Sequence, residues 1–222
     1  MKKFLSVIMI FAMLLSFAGC GGGYSEEDAA SLVKWNLESI YLGEHDPTFI
    51  SSTRSTEEEL DASYEEGIFA EVDFFIYYVD IEYPTEEIRN ELAEVYKEIY
   101  SKSKFEVKGA ERVDEITFKI ETEVYPIDIM ELLLMNYEDY MTDLYAEYAD
   151  VDIENMTMAE YQEYDEKWAA CLIEALRAQI PEMGYNAPET VTVEVKYLED
   201  EEVWQMTDES FSEFDARVIE YP

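Results

Sequence analysis

Ile116-Thr117-Phe118-Lys119-Ile120-Glu121-Thr122-Glu123-Val124-Tyr125-Pro126 alternates apolar and polar side chains and then stops at a proline. In a strand every second side chain shares a face, so the segment predicts one face on a core and one in water. Upstream, Phe105 and Val107 alternate with charged neighbours, and a short turn near Asp114 and Glu115 joins the two runs into an antiparallel hairpin. The same period returns at Val191, Val193, Val195 and Tyr197. An acidic turn from Glu199 to Glu202 then leads to a fourth strand over Val203 to Met206.

Helical spacing fills the remainder. Ser25 before Glu26, Glu27 and Asp28 reads as a helix start, and Ala29, Leu32, Val33, Leu37 and Ile40 follow at helical spacing up to Gly43. Glu44, His45, Asp46 and Pro47 read as a loop. Thr56 with Glu59 and Thr157 with Glu160 form capping boxes, which open a second helix to about Tyr78 and a fifth ending near Pro181 and Gly184. Pro84 and Thr85 open a third helix, and the residues after Pro126 a fourth. Phe211, Phe214 and Val218 suggest a short closing helix. The expected fold is α+β: an antiparallel sheet built from two β-hairpins, packed against about five or six helices.

The N-terminus has three parts. Lys2 and Lys3 are followed by a mostly apolar run from Phe4 to Phe17, then by Ala18 and Gly19 before Cys20. The run is too short to span a bilayer comfortably, so it reads as a secretion signal. Phe17-Ala18-Gly19-Cys20 resembles the lipobox of bacterial lipoproteins, with Phe where Leu is more usual. The resemblance implies cleavage before Cys20 and a diacylglyceryl thioether on its sulfur. Two acyl chains give stable attachment where one gives only marginal binding. Residues 1–19 are then a lipoprotein signal peptide, residues 20–24 the lipidated cysteine and glycine tether, and residues 25–222 one domain. The expected location is the outer face of the cell membrane.

The domain sequence also loosely resembles that of uncharacterised Gram-positive lipoproteins with nuclear transport factor 2-like α+β domains. The likeness rests on Glu38-Ser39-Ile40-Tyr41 with Gly43, Tyr96-Lys97-Glu98-Ile99-Tyr100-Ser101, Tyr125-Pro126-Ile127-Asp128, and Trp204. It implies a pocket between sheet and helices but names no ligand. The helical segment from about 127 to 180 is larger than the simplest such folds carry.

Composition narrows the function. The 222 residues hold 15 Lys and Arg against 53 Asp and Glu, a formal net charge of −38. Without Lys2 and Lys3 the mature chain keeps 13 basic residues against the same 53 acids, a net of −40. Such a surface repels nucleic acid, whose affinity for proteins comes mainly from Lys and Arg, and attracts cations and basic partners. His45 is the only histidine, so a two-histidine metal motif is excluded and any Ser-His-Asp arrangement would need this one loop residue. An exposed loop histidine is the expectation. With Cys20 acylated, Cys171 lacks a disulfide partner; it sits on a helical apolar stripe and is expected to act as a small hydrophobe. Asp150, Asp152, Glu154 and Asn155 partly match a calcium loop, but its sixth position is Asn155 where glycine is needed and its twelfth is Tyr161 where glutamate is needed.

The 18 tyrosines are the most unusual feature, and Tyr77, Tyr78, Tyr83, Tyr96, Tyr100, Tyr137, Tyr140, Tyr145, Tyr148, Tyr161 and Tyr164 all sit among acids. Tyrosine suits both half-buried seams and binding surfaces; seams are the expectation for most of them. No catalytic motif stands out, so the expected function is a membrane-anchored, non-enzymatic binding module with no cofactor or metal. Its expected partner is a basic peptide, a cation or a cell-envelope component. The alternative is a cell-wall-active hydrolase using paired carboxylates, whose separation a sequence does not give.

Overall fold

The computed structural model describes residues 17–18, 23–199 and 202–222. Cys20, most of the expected signal peptide, Gly21 and Gly22 lie outside the described residues. Helix α1 (Glu26–Leu37) starts at Ser25, whose side chain accepts from the Asp28 backbone N–H while Asp28 bonds back, so two otherwise orphaned donors are satisfied. The chain continues into a wider π-helical turn (Glu38–Leu42) that ends at Gly43 in the left-handed region, φ +63°. A Cβ at Gly43 would also come within 3.3 Å of the Tyr64 ring. Glycine meets both demands at once.

Helix α2 (Pro47–Thr53) occupies part of the segment read as loop; Asp46 caps it and Pro47 enters its first turn. Seven residues are too few to show an apolar stripe, which is why periodicity misses it. Helices α3 (Glu57–Tyr78) and α4 (Glu86–Tyr100) are capped by Thr56 and Thr85. Strands β2 (Lys104–Arg112) and β3 (Thr117–Tyr125) form the first hairpin. Helices α5 (Ile129–Glu147) and α6 (Met158–Gln179) precede strands β4 (Glu189–Leu198) and β5 (Val203–Met206), and α7 (Asp208–Val218) closes the chain. Ile116, the first member of the alternating run, falls in the turn and is exposed, while Phe118, Ile120 and Val124 are buried.

The two hairpins join through β3 and β4 into one antiparallel sheet, with Ile120 opposite Val193 and Phe118 opposite Val195. A two-residue strand β1 (Phe17–Ala18) adds to the β5 edge, giving the order β1-β5-β4-β3-β2. The fold is α+β, with seven α-helices among the described residues. Helices α1 and α7 lie directly on the sheet. Behind them α3 packs on α4, α4 on α6, and α6 on α5. No helix among the described residues is long and apolar enough to cross a membrane.

Thr122 sits at the centre of β3, wholly buried, and its hydroxyl has no hydrogen-bond partner among the described residues. Burying an unmade hydroxyl costs roughly 1–3 kcal/mol. Valine has the same shape and suits a strand. Thr122→Val should therefore raise unfolding stability by about 1 kcal/mol, read as a higher urea midpoint with an unchanged slope. A fall in the midpoint would mean that the hydroxyl is satisfied.

Candidate functional site

Where helices meet the sheet, four tyrosines surround two carboxylates. Glu71 on α3 and Asp215 on α7 are both buried, at 8% and 7% exposure. The Tyr41 hydroxyl donates to Asp215 Oδ1 at 2.9 Å. The Tyr221 hydroxyl, turned inward from the chain end, donates to Glu71 Oε1 and lies 2.8 Å from the Tyr96 hydroxyl. Tyr100 also bonds Glu71, and its ring meets Tyr41 edge-on at 5.5 Å. Burial pushes all four phenols well above their ordinary range; Asp215 adds to the effect at Tyr41, and Glu71 at the other three. They therefore stay protonated: Tyr41, Tyr100 and Tyr221 serve the carboxylates directly, and Tyr96 bonds the Tyr221 hydroxyl behind them. The cluster locks α3, α4, α7 and the chain end together, and neither Glu71 nor Asp215 lines the clefts described next.

A cleft of about 590 Å³ runs between α4 and α6. Ile88, Ala170 and Ile173 give it apolar surface, and Glu87, Glu166 and Glu174 stand along it. Arg177 is the basic residue in its lining, and its Nη1 reaches Glu91 Oε2 at 3.0 Å. A second hollow continues past Arg177 along α4, adding Glu86, Asn90 and Glu94. Arranged this way, the groove offers negative potential over an apolar strip. A third cleft, of about 430 Å³, lies where Lys102 and Glu98 approach Ile127, Met183 and Tyr185.

His45 departs from the exposed loop residue expected, since its side chain is only 5% exposed. Its Nδ1 lies 3.1 Å from Ser39 Oγ and its Nε2 3.1 Å from Asp61 Oδ1. Serine, histidine and aspartate are thus brought together, but the burial is opposite to what acyl transfer requires. Ser39 is 5% exposed, out of reach of a substrate, whereas the Asp61 side chain is 66% exposed. The trio straps the loop after the π-helical turn to α3.

Cys171 is half-buried at the core margin, and burial, then Glu174 and Asp143, push its thiol up, away from the reactive thiolate. Asp152 accepts from Asn155 at 2.7 Å, and Glu160 closes the α6 capping box. Of the tyrosines singled out, Tyr96 and Tyr100 are buried, Tyr77 and Tyr145 are exposed, and the others are half-buried along seams. A third buried acid, Asp165, accepts from the Glu82 and Tyr83 backbones and fixes the α3–α4 connection. Sequence reading singled out none of Glu71, Asp165 or Asp215. The available signal was an acid inside an apolar stripe: Glu71 falls between Ile68 and Val72, and Asp215 follows Phe214.

No family model matches the chain, and no curated protein matches it by sequence. Among solved structures it is similar to ycdA of Bacillus subtilis, described as a candidate lipoprotein, at 18% identity and a TM-score of 0.62. The match covers 87% of this chain and 56% of that one. The likeness establishes a shared fold, and the chain spans little more than half the length of that protein.

The phenols give the lock a definite pH dependence. Each folded-state pKa lies above the ordinary 10.0, so the folded chain holds these protons more tightly than the unfolded one. Their contribution is complete below pH 10.0 and is lost as pH rises beyond it towards the folded-state values. Tyr96→Phe should therefore lose less stability than the parent between about pH 8 and pH 11 in urea titrations. Equal losses would show that Tyr96 does not titrate on unfolding.

Proposed function

We propose that this protein is a membrane-anchored extracytoplasmic lipoprotein acting as a non-enzymatic binding module, and that the α4–α6 groove takes a cationic, partly apolar segment such as a basic peptide. The groove is the observation that carries the ligand reading. Glu87, Glu166 and Glu174 flank Ile88, Ala170 and Ile173, and Arg177 is already engaged by Glu91. A lysine- or arginine-rich peptide with interspersed apolar residues satisfies both features at once. The lipoprotein reading draws on the three-part leader, on the lipobox ending at Cys20 and on the description of the Bacillus subtilis structure. We extend it to loose kinship with nuclear transport factor 2-like domains, supported by α1 lying across an antiparallel sheet.

Two measurements test the two halves separately. Cys20→Ala should abolish incorporation of labelled fatty acid, and undiminished labelling would refute the anchor. A fluorescent oligolysine peptide with interspersed leucines should bind the domain and weaken as salt screens the acids. Replacing Glu87, Glu166 and Glu174 together by Gln should lower its affinity by roughly tenfold or more, given about 0.5 kcal/mol for each rim charge. Unchanged binding by that variant would remove the groove from the proposal.

A further inference from the structure

We propose that the end of the sheet marked by the turn 113–116 and by the paired Leu198 and Val203 is the surface that the anchored protein turns towards the lipid bilayer, and that Arg112 and Tyr24 fix it there. The inference rests on Cys20 bearing lipid and adds the orientation of the domain on its anchor.

Tyr24 is four residues beyond Cys20, and whatever the conformation between them the two Cα atoms are at most about 14 Å apart. Tyr24 is firmly seated. Its ring stacks on Trp204 at 4.6 Å and 10°, and meets Phe118 edge-on at 5.7 Å. The Arg112 guanidinium donates to the Tyr24 carbonyl and also to the carbonyls of Asp114 and Glu115, at 3.5 and 3.3 Å. It lies 4.3 Å over the Phe118 ring, and the Arg112 backbone N–H donates to Glu26 Oε1 at 3.1 Å. One side chain thus ties the entry of the chain to the first hairpin turn. The Leu198 end of β4 is tied to that turn, because the Tyr197 N–H donates to the Ile116 carbonyl at 2.9 Å.

The opposite end of the sheet is far away. From Arg112 back to Lys104, β2 runs about 26 Å. There Lys104 Nζ lies 3.8 Å over the Tyr125 ring, and the Tyr185 hydroxyl donates to the Lys102 carbonyl at 2.7 Å. A domain of this length has a radius of gyration of roughly 16 Å. A tether of about 14 Å is shorter than that radius, so it cannot swing the far end onto the membrane.

The chemistry of the near end identifies the depth at which it meets lipid. Val113 and Ile116 are 51% and 41% exposed at the tip. Asp114 and Glu115 lie between them, and Glu199 and Glu202 adjoin Leu198 and Val203 in sequence. Carboxylates do not enter the acyl region cheaply, so this surface meets the headgroup layer and stops there.

The test uses the full lipidated chain in phosphatidylcholine vesicles that carry a nitroxide on the headgroup. Cys171→Ser removes the free thiol, and Glu115→Cys or Glu98→Cys supplies a single site for a fluorophore at the near or the far end. The Glu115→Cys label should be quenched severalfold more than the Glu98→Cys label. Equal quenching, or stronger quenching at Glu98→Cys, would overturn the orientation while leaving the anchor intact. Failure of the protein to float with the vesicles would overturn the anchor and the orientation with it. Adding Arg112→Ala should shrink the difference between the two labels without affecting flotation, and an undiminished difference would remove Arg112 from the device.

Discussion

Two acids inside the fold, Glu71 and Asp215, must be solvated by protein, and the packing of the helices on the sheet is arranged around that demand. A carboxylate buried without donors costs several kcal/mol, enough to unfold a domain of ordinary stability. Here the donors come from parts of the chain remote in sequence. Tyr41 follows α1, Tyr100 lies on α4 and Tyr221 follows α7, with Tyr96 of α4 bonded to the Tyr221 hydroxyl. Satisfying Glu71 therefore fixes α3 against α4 and the C-terminal segment. Satisfying Asp215 fixes α7 against the turn after α1. Raised phenol pKa values accompany the arrangement, because burial first, and the nearby carboxylate second, disfavour a phenolate there.

That demand also explains which parts of the fold were legible in the sequence. Elements declare themselves through local rules, and this chain follows them closely. Ser25 with Asp28, Thr56 with Glu59, and Thr157 with Glu160 are capping pairs in sequence and in space. The alternating runs place β3 and β4 with the correct faces inward. What is not local is not legible. The strap from Ser39 through His45 to Asp61 joins residues up to 22 apart, and neither a buried histidine side chain nor its partners can be read from the loop Glu44-His45-Asp46-Pro47. The α4–α6 groove is likewise invisible, because its walls come from residues about 80 positions apart. Glu71 and Asp215 left a trace as acids within apolar stripes, but among 53 acids such a trace is easily discounted.

The few basic residues are used sparingly and in a consistent way. Lys97 bridges Glu65 and Glu94, Lys167 bridges Glu147 and Glu163, and Arg217 bridges Glu189 and Glu213. Exposed pairs of this kind contribute about 0.2–1 kcal/mol each, so they do not account for stability. They relieve repulsion where two acidic elements have to approach. Arg112 is different in kind: its guanidinium meets backbone carbonyls and an aromatic face, and it forms no ion pair among the described residues. In a chain with so large an acid excess, a guanidinium that bonds three carbonyls is fixing a backbone position.

The position it fixes gives the domain two unlike surfaces. The turn end of the sheet gathers the chain entry, Val113 and Ile116, whereas the groove of acids belongs to α4 and α6, in the helical layer behind α1 and α7. A strongly acidic body beside a bilayer with anionic lipid is pushed outward, and the push falls off within a Debye length of about 8 Å. Under the proposed anchoring, a tether of about 14 Å, nearly twice that length, lets the body rest outside most of the repulsion without escape. The acids on α4 and α6 then act on what arrives from the other side. On the proposed function, a cationic segment would meet a negative groove held at a nearly constant height above the membrane, and the anchor needs only to present it.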